Sequence, residues 1–167
     1  QSLALLIYEA NRTEDPTLRD MVTRTLDAMA EGGIHDQVGG GFHRYSTDER
    51  WFLPHFEKML YDNAQLGRLY VDGWRLTGRE SYRRVAIRLY DWVLREMTHP
   101  QGGFWSAYDA DSEGEEGLFY LWHPQEIDEV LGKADGALIR QVFGVTDEGN
   151  YLEEASGHRP GTSILFV

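Results

Sequence analysis

The chain has 167 residues, contains no cysteine and carries a formal net charge of −12 at pH 7. This length suffices for one domain with a hydrophobic core, and the lack of cysteine excludes disulfides, thiol chemistry and cysteine-ligated zinc within the sequence. The acidic charge repels phosphate backbones and anionic lipids, so we expect neither nucleic acid nor a membrane as partner. No run approaches the ~20 apolar residues of a membrane span, and we predict a cytoplasmic protein.

Both ends of the sequence have the character of interrupted elements. Gln1 begins the chain inside an apolar segment with helical character, and the strand-like run 163–167 ends it with no following segment to pair with. We therefore expect residues 1–167 to be a fragment of one larger domain.

A pair of helices is predicted at the amino-terminal end. Residues 2–11 are largely apolar and form the first helix. Asp15 is a suitable N-cap and Pro16 a suitable first helical residue, so the second helix begins there and ends at the glycines 32–33. Its apolar residues recur at helical spacing and predict the buried face. They are Leu18, Val22, Leu26 and Met29.

Helices and glycine-rich loops continue to alternate along the rest of the chain. Further helices are predicted at residues 55–76, 80–97, 125–131 and 137–143. Strand-like runs occupy the loops at residues 42–45, 102–108 and 117–122, the last two as a hairpin. Helix pairs that recur roughly every 40 residues build an open solenoid or a closed ring. Because these loops are long, aromatic and charged, we predict a mainly α fold, part of an α/α toroid with small β-hairpins in its loops.

The densest group of polar and aromatic residues lies at positions 51–63, around the predicted start of the third helix. His55 could act there as a general acid/base, with Glu57 as its orienting partner or as a carboxylate that binds hydroxyl groups. Candidate substrate-binding residues in the same group are Trp51, Tyr61 and Asn63. A structural interpretation also stands, in which Lys58 and Asp62 form a surface ion pair at i, i+4 spacing. In that interpretation Glu57 complements the helix dipole and His55 belongs to a cap.

A second group extends from Trp105 to Glu116. In a strand, Trp105, Asp109 and Asp111 share one face. A Trp ring that stacks on a pyranose, beside two carboxylates that bind hydroxyls or act as acid and base, is typical of a sugar site. Asp109 and Asp111 are therefore candidate catalytic residues and Trp105 a candidate substrate-binding residue. The structural alternative is an acidic hairpin tip in water, with Trp105 used for packing.

We expect no metal site in the acidic loop or among the histidines. Residues 109–114 match the first half of an EF-hand loop, but Tyr120 stands where the bidentate Glu is required and the flanks are strand-like. The histidines His35, His43 and His55 lack the HExxH motif and the i, i+4 spacing of helical zinc ligands.

A third group comprises His35 and Asp36 before the glycines 39–41 and residues 43–45 after them. His43 is a candidate acid/base, and its neighbours Arg44 and Tyr45 are candidate substrate-binding residues. The glycines precede a strand-like run rather than a helix, which is the wrong context for a phosphate site. No GxSxG, Walker or dinucleotide motif is present, and we predict no cofactor.

Several stretches together carry a resemblance to a known family. They are residues 32–45, 54–66, 103–104 with 109–114, and 116–117 with 119–122. With them the chain resembles the thioredoxin-domain-containing family that includes spermatogenesis-associated protein 20 and bacterial YyaL-type proteins, over most of residues 1–155.

This resemblance implies an N-terminal thioredoxin-like domain outside this chain, followed by a six-hairpin (α/α)6 toroid similar to N-acylglucosamine 2-epimerases and six-hairpin glycosidases. The chain then supplies about the first half of the ring, and the thioredoxin-like domain of the same full-length protein is a partner. The epimerase relatives use histidines as acid/base groups on an opened sugar.

We therefore consider a carbohydrate-active enzyme first. A 2-epimerase needs two opposed bases, for which His43 and His55 are the candidates, whereas a glycosidase needs two carboxylates across the scissile bond, such as Asp109 or Asp111 with Glu57. The alternatives are a non-catalytic module that binds a glycan or a client of the thioredoxin-like domain, and a purely structural ring. Because loops from all helical hairpins of the toroid are needed to form the opening of the pocket, we predict that the fragment alone is inactive.

Overall fold

A computed structural model describes residues 2–153 and 157–167 of the chain. Within these described residues, five helices make up most of the regular secondary structure. They are α1 (Ser2–Thr13), α2 (Pro16–Glu31), α3 (Leu60–Thr77), α4 (Glu80–Glu96) and α5 (Pro124–Val142). Three short antiparallel strand pairs lie in the loops between them. The predicted mainly α fold with small β pairs in its loops is confirmed.

The first helical hairpin forms as its sequence predicts. The side chain of Asp15 accepts a hydrogen bond of 2.8 Å from the Thr17 backbone N–H, and Pro16 is the first residue of α2. Gly32 follows the last residue of α2, and its N–H donates to the carbonyl of Ala28 at 3.0 Å. Capping groups at both ends form hydrogen bonds with backbone atoms that a helix leaves unpaired, so residues close in sequence determine where α2 begins and ends.

The helix predicted over residues 55–76 begins only at Leu60. The segment before it is extended and forms β2 (Pro54–His55) and β3 (Lys58–Met59). β2 pairs with β1 (Tyr45–Ser46), and β3 pairs with β4 (Ala107–Tyr108). Pairing with β1 and with the distant β4 overrides the local helical pattern here, so His55 and Glu57 do not lie at a helix N-terminus as predicted.

The predicted hairpin of residues 102–108 and 117–122 is also wrong. β4 pairs with β3 rather than with the second run. The hairpin that does form is shorter, with β5 (Asp111–Ser112) and β6 (Glu115–Glu116) joined by two residues of positive φ. A two-residue turn with both φ values positive matches the twist of the paired strands. A 3₁₀ turn, Leu118–Tyr120, replaces the predicted second strand.

The remaining boundaries differ less. α4 ends at Glu96, one residue before the predicted end, and Met97 forms its C-cap. The predicted helices at 125–131 and 137–143 are the two parts of α5, which is interrupted by non-helical backbone at Gly132. The predicted strand 42–45 is reduced to its last residue, which belongs to β1. In the part of the chain that is described, no helix has the length and apolar character needed to cross a bilayer.

The main core lies between the two helical hairpins α1–α2 and α3–α4. Its fully buried residues include Val22, Leu26, Phe42, Tyr70, Tyr82 and Leu89. The Tyr70 hydroxyl donates to the carbonyl of Leu26 at 2.9 Å, so its polar end is satisfied inside the core. Phe42 belongs to the glycine-rich loop, residues 32–44, between α2 and β1. Its side chain packs in this core and so anchors the loop to the helices.

Asn63, predicted to bind substrate, is completely buried in the first turn of α3. Its Oδ1 accepts from the N–H of Phe42 at 2.7 Å, and its Nδ2 donates to the carbonyls of Phe42 and Met59, both at 2.9 Å. The amide thus forms both backbone hydrogen bonds that a neighbouring strand would form with Phe42. Because backbone groups bind both ends of this buried amide, Asn63 holds the loop in place.

Replacing Asn63 by Ala should lower the free energy of unfolding by about 2–4 kcal/mol, because the buried N–H and carbonyl of Phe42 lose their partners. Denaturant unfolding of the two proteins measures the difference. Gln65→Ala is the control, since Gln65 makes an exposed bond to the carbonyl of Tyr61 on the same helix. An equal effect of the two substitutions would contradict this role of Asn63.

Candidate active site

The extended segment 54–58 sorts its side chains onto two faces. Pro54, Phe56 and Lys58 are buried, whereas His55 and Glu57 are partly exposed. This alternation is that of a strand. The polar group predicted around this segment is therefore divided between an inner and an outer surface.

Lys58 is the most enclosed charge in the chain segment described, with only 1% of the residue exposed. Its Nζ donates to Oδ2 of Asp36 at 2.6 Å and to the carbonyl of Gly40 at 2.9 Å. The ammonium also lies 4.7 Å from the ring centre of Trp92 and 4.8 Å from that of Tyr120. The predicted surface pair of Lys58 with Asp62 is wrong, because Lys58 points inward from a strand.

Asp36 receives hydrogen bonds on both of its oxygens. Oδ1 accepts from the N–H groups of Val38 at 3.0 Å and Gly39 at 2.8 Å, while Oδ2 accepts from Lys58. Burial alone raises the pKa of Asp36, but the charge of Lys58 and these hydrogen bonds outweigh it and hold that pKa below its ordinary value. Burial lowers the pKa of Lys58, against the opposing charge of Asp36. The pair is a closed internal salt bridge.

Cations on α4 complete the anchoring of the glycine-rich loop. Nη2 of Arg88 donates to the carbonyl of Gln37 at 2.7 Å, and Nη2 of Arg95 donates to that of Gly39 at 2.8 Å. At Gly41, where φ is +76°, a Cβ would lie 2.5 Å from Cε3 of Trp92, so only glycine fits. The loop is thereby fixed against α4.

A cleft of about 340 Å³, here called the inner cleft, lies beside this loop. Its lining includes two histidines, one carboxylate and three aromatic side chains, namely His35, His43, Asp36, Phe119, Tyr120 and Trp122. Polar and aromatic side chains thus line the same cavity.

His43 lines the inner cleft and is 2% exposed. Its Nδ1 lies 2.9 Å from the carbonyl of Phe56. A carbonyl only accepts, so Nδ1 carries the hydrogen and Nε2 of the neutral ring carries the lone pair. Burial, with the nearby charge of Lys58, lowers the pKa of His43 to about 3. The predicted acid/base residue is therefore a neutral imidazole of defined tautomer.

His35 lines the same cleft and repeats this arrangement. It is 3% exposed, its Nδ1 lies 3.0 Å from the carbonyl of Ala30, and its ring stacks on Phe42 at 4.6 Å. Burial lowers the pKa of His35 to about 4. His35 is thus a second neutral imidazole in the inner cleft.

A neighbouring cleft of about 340 Å³, the acidic cleft, shares Asp36, Phe119 and Tyr120 with the inner cleft. Asp109 and Asp111, both predicted to be catalytic, line it and are exposed to solvent. Both carboxylates therefore line the same cleft.

Trp105 and Trp51, both predicted to bind substrate, lie outside these clefts. Trp105 is half-exposed and packs edge-on against His99, with ring centres 4.5 Å apart. Trp51 packs against the main core, and its carbonyl accepts from the N–H of Ile34 at 3.0 Å. Aromatic walls come instead from Phe119 and Tyr120.

His55 lies in a third cleft, the outer cleft, with Tyr45 and Glu116. Its Nδ1 lies 2.6 Å from Oε1 of Glu116 and its Nε2 lies 3.7 Å from Oε2 of Glu57. The ring of Tyr45 stacks on it at 5.1 Å. His55 and His43 therefore line separate clefts, which share Phe56 as a common wall.

The other predicted residues of this outer surface form one charged group. Nη1 of Arg44 donates to Oε2 of Glu57 at 2.8 Å. Tyr61 is half-exposed and its hydroxyl interacts with Arg44.

Within residues 2–153 and 157–167, no three histidine or acidic side chains converge as a metal site requires.

Several residues of the clefts were not among the predicted site residues, including His35, Asp36, Lys58, Glu116 and Tyr120. Lys58 could have been found by treating residues 54–58 as a strand, since period two places it beside the apolar Phe56. The pairing of Glu116 with His55, 61 positions apart, has no local signal.

Substituting Lys58 by Met should lower the free energy of unfolding by about 3–5 kcal/mol, because the buried carboxylate of Asp36 loses its counter-ion. Urea denaturation measures this loss. Arg83→Met is the matched control, since Arg83 pairs with Glu80 at 2.7 Å on the surface and such pairs contribute less than about 1 kcal/mol. Similar small losses for both variants would argue against the buried pair.

Acid should destabilise the protein through His35 and His43. Their pKa values of about 4 and about 3 in the folded protein lie below the ordinary histidine pKa of 6.5, so the unfolded chain binds protons first. The histidines therefore do not reduce the free energy of unfolding above about pH 6.5. This free energy decreases as the pH falls toward their folded-state pKa values, by up to about 1.4 kcal/mol per pH unit for each ring. Denaturant titrations at pH 5–7.5 test this, and a flat profile would refute it.

The chain is similar to several proteins of known sequence. Spermatogenesis-associated protein 20 of Homo sapiens is 42% identical over 166 residues, which cover 89% of this chain and 21% of that protein. An uncharacterised protein of Caenorhabditis elegans is 38% identical, covering 92% of this chain and 24% of its own length. The cellobiose 2-epimerase of Bacteroides fragilis is 29% identical over 90 residues, 53% of this chain and 23% of the enzyme. The chain thus spans about a fifth of the length of the first of these relatives.

These similarities confirm the family resemblance drawn from the sequence, while the thioredoxin-like domain stays a prediction. The helical pairs with small strand pairs in their loops form part of a glycosidase-like α/α toroid, as predicted. The family model of Glycosyl Hydrolase Family 88 matches residues 3–122, well over half of the sequence. The chain therefore belongs to Glycosyl Hydrolase Family 88.

Proposed function

We propose that this chain supplies part of the active site of a carbohydrate-active enzyme, in which His43 accepts a proton from a sugar bound in the inner cleft. The observation that carries this proposal is the bond between Nδ1 of His43 and the carbonyl of Phe56, at 2.9 Å. It holds the ring in one orientation and leaves Nε2 as the basic atom. A general base acts in its unprotonated and oriented form, and this ring is both, although its lowered pKa makes it a weak base.

The walls of the inner cleft suit a sugar. Phe119 is 74% exposed and lies at the rim shared by the inner and acidic clefts, with Tyr120 behind it at a ring distance of 5.1 Å. Aromatic faces pack against the apolar C–H face of a pyranose. Asp109 and Asp111, at the same rim, are acceptors for its hydroxyl groups.

Proton transfer at a sugar carbon is the reaction that a neutral histidine supports, and the similarity to a cellobiose 2-epimerase is in accord with it. The second base of an epimerase is not His55 acting in the inner cleft, because His55 is held by Glu116 in the outer cleft. We propose that the opposing base comes from the rest of the toroid, which the longer relatives carry. For the same reason we predict that the 167-residue chain alone is inactive.

Glycoside hydrolysis is the second candidate, favoured by the family to which the chain belongs. Its carboxylates would be Asp109 and Asp111, which share the acidic cleft. Glu57, the partner predicted from the sequence, lies on the outer surface with Arg44. A non-catalytic module that binds a glycan, or a client of a thioredoxin-like domain, is the remaining alternative.

Exchange of the hydrogen on carbon 2 of cellobiose in D₂O, followed by NMR with the full-length protein, tests the assignment. His43→Asn keeps a donor for the carbonyl of Phe56 but removes Nε2, so exchange should fall by about 10²–10⁴-fold while the melting temperature changes little. His99→Asn is the matched control, because Asn can still accept from the N–H of Gln101 as Nδ1 of His99 does.

Exchange that survives His43→Asn would contradict the proposal. Release of reducing sugar that is lost in Asp109→Asn or Asp111→Asn would support hydrolysis instead. Binding of the sugar without any turnover would support the non-catalytic module. Turnover by the 167-residue chain itself would refute its predicted inactivity.

A further inference from the structure

Helix α4 has two apolar faces, of which only one is covered. The covered face lies in the main core and includes Tyr82 and Leu89. Ile87, Tyr90 and Leu94 follow one another at i, i+3 and i+7 spacing, so they share a different side of the helix. They are 42%, 40% and 63% exposed. We call these three residues the lateral face.

The lateral face is distinct from the charged side of α4. That side faces solvent and contains Arg84, Arg88, Asp91 and Arg95. An exposed apolar residue that stands alone needs no partner, but a row of them on one side of a helix marks an interaction surface. The ring of Tyr90 also lies against α3, because a Cβ at Gly67 would be 2.8 Å from its Cζ. The lateral face therefore belongs to the whole α3–α4 hairpin.

Another side of this hairpin shows how neighbouring hairpins pack. Leu26 of α2 lies against Gly73 of α3, where a Cβ would be 2.5 Å from Cδ1 of Leu26. The Tyr70 hydroxyl of α3 donates to the carbonyl of the same leucine. The α1–α2 hairpin thus covers one side of α3–α4. In an architecture of repeated helical hairpins, each internal unit packs against a neighbour on both sides, so we expect a further hairpin on the lateral face.

Helix α5, the next helix along the chain, does not supply that neighbour. Its buried Ile127 packs in a separate cluster with Val145 and Leu165. Among the residues that the structure describes, the main core has no member from α5. The helix is also interrupted at Gly132, whereas α2, α3 and α4 are continuous helices of 16 to 18 residues. α5 therefore belongs to a side unit and not to the series of hairpins.

We propose that the lateral face is the docking surface for a third helical hairpin of the toroid, supplied by a part of the full-length protein outside this chain. The chain forms part of a glycosidase-like α/α toroid. Its match covers only 21% of the human relative, whose length leaves room for further hairpins. In this arrangement α5 and its cluster are an insertion between the second and third hairpins of the ring. The proposal concerns assembly of the domain and is independent of the proposed function.

Site-specific photo-crosslinking of the full-length protein tests this occupant. The photoreactive residue p-benzoylphenylalanine replaces Leu94 or, as the control on the charged side of α4, Arg84, and mass spectrometry identifies the attached peptides. At Leu94 we expect a crosslink within one molecule to a segment outside residues 1–167. The Arg84 variant should give no such product, because that side chain faces solvent.

Thiol labelling measures the burial of the same position independently. In the full-length protein, Leu94→Cys should react with a maleimide at least about 100-fold more slowly than Arg84→Cys, because the docked hairpin must open before the thiol is reached. Both side chains are exposed in this structure, so neither substitution disturbs the packing of residues within the chain.

Three results would overturn the proposal. Crosslinks from position 94 to residues 124–142 would show that α5 covers the lateral face. Crosslinks between two molecules would assign the face to a second copy of the protein. Equal labelling of Leu94→Cys and Arg84→Cys, with no crosslink at position 94, would show that the face remains in solvent. None of these results bears on proton transfer by His43, so the proposed function stands or falls separately.

Discussion

The buried ammonium of Lys58 is the interaction on which the candidate site depends. An isolated charge in a protein interior is strongly unfavourable, so every element around it must supply a compensating group. The glycine-rich loop supplies Asp36 and the carbonyl of Gly40, α4 supplies the ring of Trp92, and the 3₁₀ turn supplies Tyr120. One cation thus binds together four segments that are distant in sequence.

This arrangement also decides the chemistry of the inner cleft. Lys58 adds a positive charge near His43 and, with burial, keeps that ring neutral. Asp36 is occupied by the same cation and by backbone N–H groups, so it does not compete for a proton. The inner cleft thus contains two neutral histidines beside aromatic walls.

The division of residues 54–58 onto two faces separates two kinds of polar site. On the inner side, Phe56 and Lys58 face the clefts shared with Tyr120. On the outer side, His55 lies between the carboxylates of Glu57 and Glu116, with Tyr45 stacked on it. Membership of Glycosyl Hydrolase Family 88 and the similarity to a cellobiose 2-epimerase point to sugar chemistry for the domain. The structure concentrates neutral histidines and aromatic rings on the inner side, which is why the proposed sugar site lies there.

The sequence by itself determined the helical pairs, the caps of α2 and the mainly α fold, because caps and apolar periodicity act within a few residues. It also singled out His43, Asp109 and Asp111, which do line the clefts. Only the tertiary structure decided that residues 54–59 are extended, since that depends on the pairing of β2 with β1 and of β3 with the distant β4. The same pairing turned Lys58 inward to Asp36 and placed His55 beside Glu116. Burial and charge at these positions come from partners 22 and 61 residues away, and a local pattern carries no information about contacts at that separation.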